Sequence, residues 1–449
     1  MTVRRSGRLA LAATALAATV VGCTSSVAGR AIAVAGGPCA PYAQYGHFDN
    51  ASVTMLQERS VVNEQTFVDS FARFVDCTGI TVHLHEDTNT IGMIEEGFLT
   101  GVEPDVATVA QPGLFRRWAP SGAMVEAPPA VRANLRKFWA LPWQNYVTVD
   151  GKVYGAPLGT NVKSLVWYSP KQFRENGWKI PQTLGELKTL SDTIANTGVK
   201  PWCVGIENSA GTGWPVTDWM EDMMLRLSGP DTYDKWVAHR IPFNGPQSTA
   251  ALNAVGEYIR NDKYVNGGHG DVASIASTSV ADAGLPIRYG ECALSRQASF
   301  YANVWGPGTT IGENGDVDAF YFPAKDTNSK PVLGGGEFLT AFSDRPPVQA
   351  FQAFLSSDTW ADAMVAAAAP NGGWISANTG MDASKLTNAT DRLCVAILRD
   401  PKSVFRFDGS DQMPPAIGLE AFFQESTNWI LGQSTKVTLD AIEKAWPKH

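Results

Sequence analysis

Between Ser52 and Val109 the chain changes its apolar period again and again, and this alternation narrows the fold more than any other feature. Ser52–Leu56 is a short apolar run, and Gln65–Asp76 spaces Phe67, Val68, Phe71, Phe74 and Val75 as on one helix face. Ile80–Leu84 alternates like a strand, Gly92–Leu99 reads as a second helix, and Asp105–Val109 as a third strand. Parallel neighbouring strands need a long crossover, which a helix supplies, so this order predicts a parallel sheet in an α/β protein. Further strands are expected at Tyr154–Leu158 and Ser164–Tyr168, with a bend between them, and at Cys292–Ser299, Phe320–Pro323 and Phe338–Phe342. Thr183 is placed to cap a helix over Leu184–Ala195, with Glu186 in its first turn. Helices are also expected at Pro246–Asn261, Pro347–Leu355 and Asp358–Ala369, and a pair over Glu420–Trp446. No repeat of 20–50 residues recurs, which disfavours a solenoid or propeller. A length of 449 residues suits two domains, at about 100–200 residues each.

The first 23 residues have a separate logic. Arg4, Arg5 and Arg8 precede the apolar stretch Leu9–Val21, which ends in Gly22-Cys23. Positive start, apolar middle and small residues at a cut form the pattern of a secretory signal. A cysteine just after the small residue resembles a bacterial lipobox, which implies cleavage after residue 22 and a lipid on Cys23. The alternatives are a plain signal peptide or a membrane anchor, but the run is shorter than the roughly 20 apolar residues a span needs. Residues 23–50, rich in Ala, Gly and Ser, then read as a lipidated tether, with folded structure beginning near Val53. The expected location is outside the cytoplasmic membrane, anchored by lipid. No second stretch of 18 or more apolar residues exists. The formal net charge is −8, and loss of three leader arginines makes the remainder more acidic still, which argues against a nucleic-acid partner.

Six cysteines occur: Cys23, Cys39, Cys77, Cys203, Cys292 and Cys394. With Cys23 lipidated, five remain, and two disulfides plus one thiol is the simplest account in an oxidising compartment. No Cys-x-x-Cys pair is present, against a zinc knuckle or a thioredoxin-type motif. His83 and His85 lie on one side of a strand beside Glu86 and Asp87, but two histidines without a third ligand make a poor metal site, and none is expected. His-Glu-x-x-His, Gly-x-Ser-x-Gly and Ser-x-x-Lys are all missing.

Gly151-Lys152-Val153-Tyr154-Gly155-Ala156-Pro157, with Asn161-Val162-Lys163-Ser164-Leu165-Val166-Trp167-Tyr168, resembles the hinge strands of the solute-binding proteins of ABC importers. Pro201-Trp202-Cys203-Val204-Gly205-Ile206-Glu207 and Gly213-Trp214-Pro215-Val216-Thr217-Asp218-Trp219-Met220-Glu221-Asp222 are similar to the α-glucoside-binding branch of that family, as is Phe405-Arg406-Phe407-Asp408-Gly409-Ser410-Asp411-Gln412-Met413-Pro414. Gly334-Gly335-Gly336-Glu337-Phe338 and Phe342-Ser343-Asp344-Arg345-Pro346 fit as well. The resemblance spans roughly residues 50–449. It departs at the polar first loop, Gln57-Glu58-Arg59-Ser60, and at Cys39, Cys77 and Cys394. It implies a two-lobed α/β fold of the periplasmic-binding-protein type II kind, with a hinge between the lobes. The expected division is 51–161 with 318–375 for the first lobe and 162–317 with 376–449 for the second, crossing near 158–163, 316–319 and 374–380. It also implies Cys203–Cys292 and Cys39–Cys77 disulfides, with Cys394 reduced and buried.

The implied function is hinge closure on a neutral α-glucoside or small glucosyl compound. The implied partners are ABC permease subunits, with the chain a monomer that needs no cofactor and breaks no bond. Two rivals remain: the same fold binding a glycerophosphodiester or polyol, with Arg406 and Arg59 as the available basic residues, and a secreted glycan-processing enzyme. A sugar needs an aromatic platform for its C–H face and carboxylates, amides or arginines for its hydroxyls. Trp214, Trp305 and Trp374 sit beside glycines or prolines and are candidate platforms, though each also suits loop packing. Asp218, Glu221 and Asp222 share one helical face, with Asp218 as a candidate ligand contact or, alternatively, an N-cap whose box Glu221 closes. Three carboxylates on one turn match poorly the opposed pair that a glycosidase needs. Arg406 and Asp408 alternate onto one side of a strand, ready to hold ligand hydroxyls or to pair with each other. Gly335 allows close backbone approach to a ligand and Glu337 accepts a hydroxyl. Glu58, Gln111 and Asn161 follow strands, where open α/β sheets bind ligands.

Overall fold

The computed structural model describes residues 25–27, 37–58, 64–87, 89–306, 308–369 and 372–447. The leader, Cys23 with the lipidation expected there, and Arg59 lie outside the described residues. Strand β1 (Ser52–Glu58), helix α1 (Glu64–Thr78), β2 (Thr81–Asp87), α2 (Thr90–Thr100) and β3 (Val106–Val109) follow the expected order. β1 runs parallel to both β2 and β3, so the alternation does build parallel pairing. Phe71 and Phe74 of α1 meet Phe351 at 5.6 and 5.5 Å, and Phe74 stacks on Phe354 at 4.6 Å, closing one face of the sheet.

Next come α3 (Leu141–Tyr146), β4 (Gly155–Val162), β5 (Leu165–Tyr168), α4 (Leu184–Asn196), β6 (Lys200–Trp202), α5 (Trp214–Ser228) and α6 (Pro230–Val237). After them stand β7 (Cys292–Arg296), β8 (Asp318–Tyr321), β9 (Lys330–Ala341), α7 (Ala389–Arg399) and β10 (Ser403–Phe407). Thr183 caps α4 as expected, its side chain accepting from the Glu186 amide while Glu186 reaches back to the Gln182 amide. A seven-stranded sheet has the order Ser25–Val27, β2, β1, β3, β9, β10, with β4 also on β9; a four-stranded sheet has the order β8, β5, β7, β6. Trp202 and Trp219 cross edge-to-face at 5.2 Å in the core of the second sheet.

These pairings correct the expected division in two places. β8 was assigned with the first lobe but pairs antiparallel with β5 in the small sheet, and β10, assigned with the second, runs parallel to β9 in the large one. Crossings follow hydrogen-bond partners, which motif position alone does not reveal. The tether is a third correction. Gly37–Tyr45 is a 3-10 helix that buries Cys39, Tyr42 and Tyr45, with Tyr45 at 5.6 Å from both Phe74 and Phe354. Low-complexity neighbours masked these aromatic anchors. β9, twelve residues long, also begins well before the expected Phe338, because its three glycines sit inside the strand.

Cys39 is bonded to Cys77 and Cys203 to Cys292, with Cα–Cα distances of 5.4 and 5.9 Å, and Cys394 is reduced and buried. Closing sequence separations of 38 and 89 removes about 4–5 kcal/mol each of unfolded-state entropy in the chain-entropy account.

Candidate functional site

β9 places the site. Its Phe338–Ala341 end pairs with β3 and its Lys330–Gly334 end with β10, while β4 lies along the opposite side from Gly334 to Thr340. β3 and β10 therefore lie against the same edge of β9 and point their carboxyl ends at each other across Gly335–Glu337. Backbone left open between opposing strand ends is where an open α/β sheet receives a ligand. Glycine is required in the gap: a Cβ on Gly336 would stand 2.7 Å from the Gly159 carbonyl and 3.0 Å from the Trp143 ring. The Gly335 amide donates to Asn161 Oδ1 at 2.9 Å, and its carbonyl accepts from Thr160 Oγ1 at 2.9 Å, so Asn161 is fixed at the gap.

Lys163, in the crossing between β4 and β5, is buried here. Its Nζ donates to Asp218 Oδ1 at 2.9 Å and to Asp408 Oδ2 just past β10, and stands 5.5 Å from the centre of the Trp214 ring. Burial opposes the lysine's charge, but Asp218, Asp408 and Asp411 hold its pKa well above the ordinary value. Burial pushes Asp218 up to about 7 in spite of Lys163. The same burial would raise Asp408, but the Lys163 charge and hydrogen bonds from Lys163 and Ser410 hold it below the usual range. Asp218 Oδ2 is buried, makes no hydrogen bond and lies 3.7 Å from Arg296 Nη1.

Toward the large sheet stand Glu58 at the end of β1, Gln111 just beyond β3, Glu337 in the gap and Asp411 after β10. Burial, reinforced by Glu58 and Glu86, pushes Glu337 up to about 7; burial raises Glu58, and burial with Asp408 raises Asp411. Gln111 Oε1 is buried without a hydrogen-bond partner. The cleft thus offers carboxyl and amide acceptors beside a partly exposed indole, with Lys163 as donor. That is chemistry for holding hydroxyls.

Of the expected residues, Glu58, Gln111, Asn161, Gly335, Glu337, Asp218, Asp408 and Trp214 are brought to this gap. Trp305 is not. Its indole is 1% exposed, packed 5.6 Å from Trp167 and 5.2 Å from Tyr301, because the turn at Gly306 (φ +80°) sends the ring inward. Trp374 is likewise core, edge-on to Trp360 at 5.5 Å. Arg406 does not pair with Asp408: its Nε donates to Asp234 Oδ1 of α6 at 2.7 Å. Nor is Asp218 an N-cap. α5 starts at Trp214 with Gly213 (φ +113°) as its cap and Pro215 in the first turn, so Asp218 lies inside the helix. The shared face does hold: Asp218, Glu221 and Asp222 are all buried. Glu221 accepts from the Gly409 and Ser410 amides and from Tyr233, fixing the turn after β10, and Asp222 binds Arg226, Arg296 and Ser164. Lys163 and Asp411 were missed; a single lysine inside the apolar Val162–Tyr168 stretch is the signal that marks the first. Among the described residues, no group of three or more His, Cys, Asp or Glu is placed to hold a metal, and no helix is long and apolar enough to cross a membrane.

Residues 63–362 match the family of bacterial extracellular solute-binding proteins. The alpha-glucosides-binding periplasmic protein AglE of Rhizobium meliloti (strain 1021) is 35% identical over 396 residues, 86% of this chain and 84% of that one. The osmoprotective compounds-binding protein GgtB of Synechocystis sp. (strain ATCC 27184 / PCC 6803 / Kazusa) is 33% identical over 408 residues, 90% of this chain and 94% of that one. Among solved structures, the bacterial solute receptor AcbH, described as preferring β-D-galactopyranose, superimposes with a TM-score of 0.73 at 17% identity, covering 88% of this chain and 97% of its own. A chitin oligosaccharide binding protein gives 0.70 at 14% identity, covering 88% and 98%. The fold is the two-lobed type II fold of these receptors, and the chain belongs to the bacterial extracellular solute-binding protein family.

Proposed function

We propose that the chain is the lipid-anchored receptor of an ABC sugar importer and closes on a neutral α-glucoside or small glucosyl compound. The observation that carries this reading is the gap at Gly335–Glu337, where acceptors of the large sheet meet Asp218 of α5 beside Trp214 and Lys163. Likeness to AglE supports the glucoside, and likeness to GgtB supports a small ligand. A ligand touching both lobes only when they are closed shifts the open–closed balance, and no bond need break. The phosphodiester rival is disfavoured by charge: Lys163 is already shared by two carboxylates, and Arg406 is committed to Asp234. A lipid on Cys23 would keep the receptor beside its permease.

Thermal unfolding of the chain from residue 24 against α-glucosides, glucosyl polyols and glycerophosphodiesters tests the reading. A ligand at 100 times its dissociation constant adds about 2.7 kcal/mol. A shift with an α-glucoside or glucosyl compound, without product, is expected. A shift with phosphodiesters alone, or appearance of a cleaved product, overturns the assignment.

A further inference from the structure

A cavity of about 650 Å³ lies apart from the cleft, behind β9, and nothing in the proposed function uses it. Neighbouring glycines mark the two sides: a Cβ on Gly335 would face Asn161 and Lys163, whereas one on Gly336 would face Trp143, which lines the cavity. One part of its wall is aromatic. Trp143 of α3 stacks on Phe405 of β10, centroids 5.6 Å apart and planes 30° apart, and Tyr146 and Leu398 of α7 also line the cavity. Its charges are two guanidiniums, Arg399 and Arg406, against one carboxylate, Asp234, which Arg406 Nε already holds at 2.7 Å. Arg399, the last residue of α7, is exposed, and its guanidinium makes no hydrogen bond or ion pair among the described residues.

The volume lies within the roughly 300–1,000 Å³ of small-molecule sites, which combine apolar walls with a few placed polar groups. Aromatic walls favour flat apolar rings, and an arginine fork favours carboxylate, sulfonate or phosphate. The charge also runs opposite to that of the cleft, whose surplus carboxylates repel an anion. We propose that this cavity is a second ligand site, separate from the cleft, for a small aromatic anion whose ring lies on the Trp143–Phe405 wall and whose charged group meets Arg399.

The test is fluorescence titration of the folded chain with 1-anilinonaphthalene-8-sulfonate, and with N-phenyl-1-naphthylamine as its uncharged counterpart. Saturable binding of one sulfonate per chain is expected, with weaker binding of the amine. Arg399→Ala, at an exposed position, should weaken the sulfonate about tenfold, in keeping with loss of a charge-assisted contact. Leu398→Trp should block both probes by filling the cavity, and Trp214→Ala in the cleft should change neither. No saturable binding, equal binding by wild type and Arg399→Ala, or loss of binding in Trp214→Ala overturns the proposal. Because Trp214→Ala reports on the cleft alone, failure here is distinguishable from failure of the sugar reading.

Discussion

Lys163 Nζ and Asp218 Oδ1 are 2.9 Å apart with both side chains buried, and the same nitrogen also holds Asp408. One cation thereby ties the β4–β5 crossing, helix α5 and the turn after β10 into a single cluster. Taking charges out of water is expensive, so the cluster stabilises the fold only while its members stay paired. Lys163→Met leaves buried Asp408 without its cation and Asp218 with Arg296 alone, and should cost about 3–5 kcal/mol, measured by urea unfolding. Adding Asp408→Asn should recover part of that loss. Equal stability of wild type and Lys163→Met would show that the cluster contributes nothing.

Trp214 carries the affinity prediction. Trp214→Ala should weaken glucoside binding by about 1–3 kcal/mol, as a stacking ring at a binding hot spot would, while the unfolding midpoint without ligand stays near wild type. Calorimetric titration with the sugar found in the thermal screen measures this. Unchanged affinity would remove the ring from the ligand's surroundings.

Stability should depend on pH through Glu337. Burial, with Glu58 and Glu86 nearby, raises its folded-state value to about 7 from 4.5, so the folded chain binds more protons than the unfolded chain across that interval. Stability from this group is complete below pH 4.5 and is lost as pH rises toward 7. Asp408, held low, runs the other way, its contribution fading as the solution becomes acidic. Glu337→Gln should flatten the slope between pH 4.5 and 7 and stabilise the protein at pH 8 by about 1–2 kcal/mol, with little change at pH 4. Unfolding at pH 4, 6 and 8 decides it, and an unaltered slope would count against the assignment.

The glycine gap gives a steric prediction. Gly336→Ala pushes a methyl group to within 2.7 Å of a backbone carbonyl, whereas at Gly335 the nearest atom is the Asn161 side-chain amide at 3.2 Å. Gly336→Ala should therefore be the more destabilising, by about 1–3 kcal/mol as an overpacked site, and comparison of the two melting curves checks the order.

Thiol counting tests the covalent frame. Denatured without reductant, the chain from residue 24 should expose one reactive thiol, Cys394, and after reduction all five of its cysteines. Three reactive thiols before reduction would mean that one bridge is not formed.

What sequence alone determined was local or carried by motif. The period changes from Ser52 to Val109 announced parallel pairing, because a buried strand and a one-sided helix need different apolar spacings. The Thr183 cap was legible because a cap is a contact between near neighbours; of the candidate-site residues, Glu58, Gln111 and Asn161 were legible from strand ends, and Trp214, Asp218, Gly335, Glu337 and Asp408 from motifs. Only the tertiary structure decided where Arg406 and Lys163 found their partners. Asp234 and Asp218 lie 172 and 55 residues from them along the chain, and no spacing rule reaches that far. It also sent Trp305 inward and moved the start of α5 back to Trp214, since a turn at Gly306 or Gly213 can send a side chain toward core or cleft. That choice is made by whatever packs on the other side. The same physics joined β3 and β10 around Gly335–Glu337: hydrogen-bond partners along β9 are selected by the assembled sheet, and with them the position of the cleft.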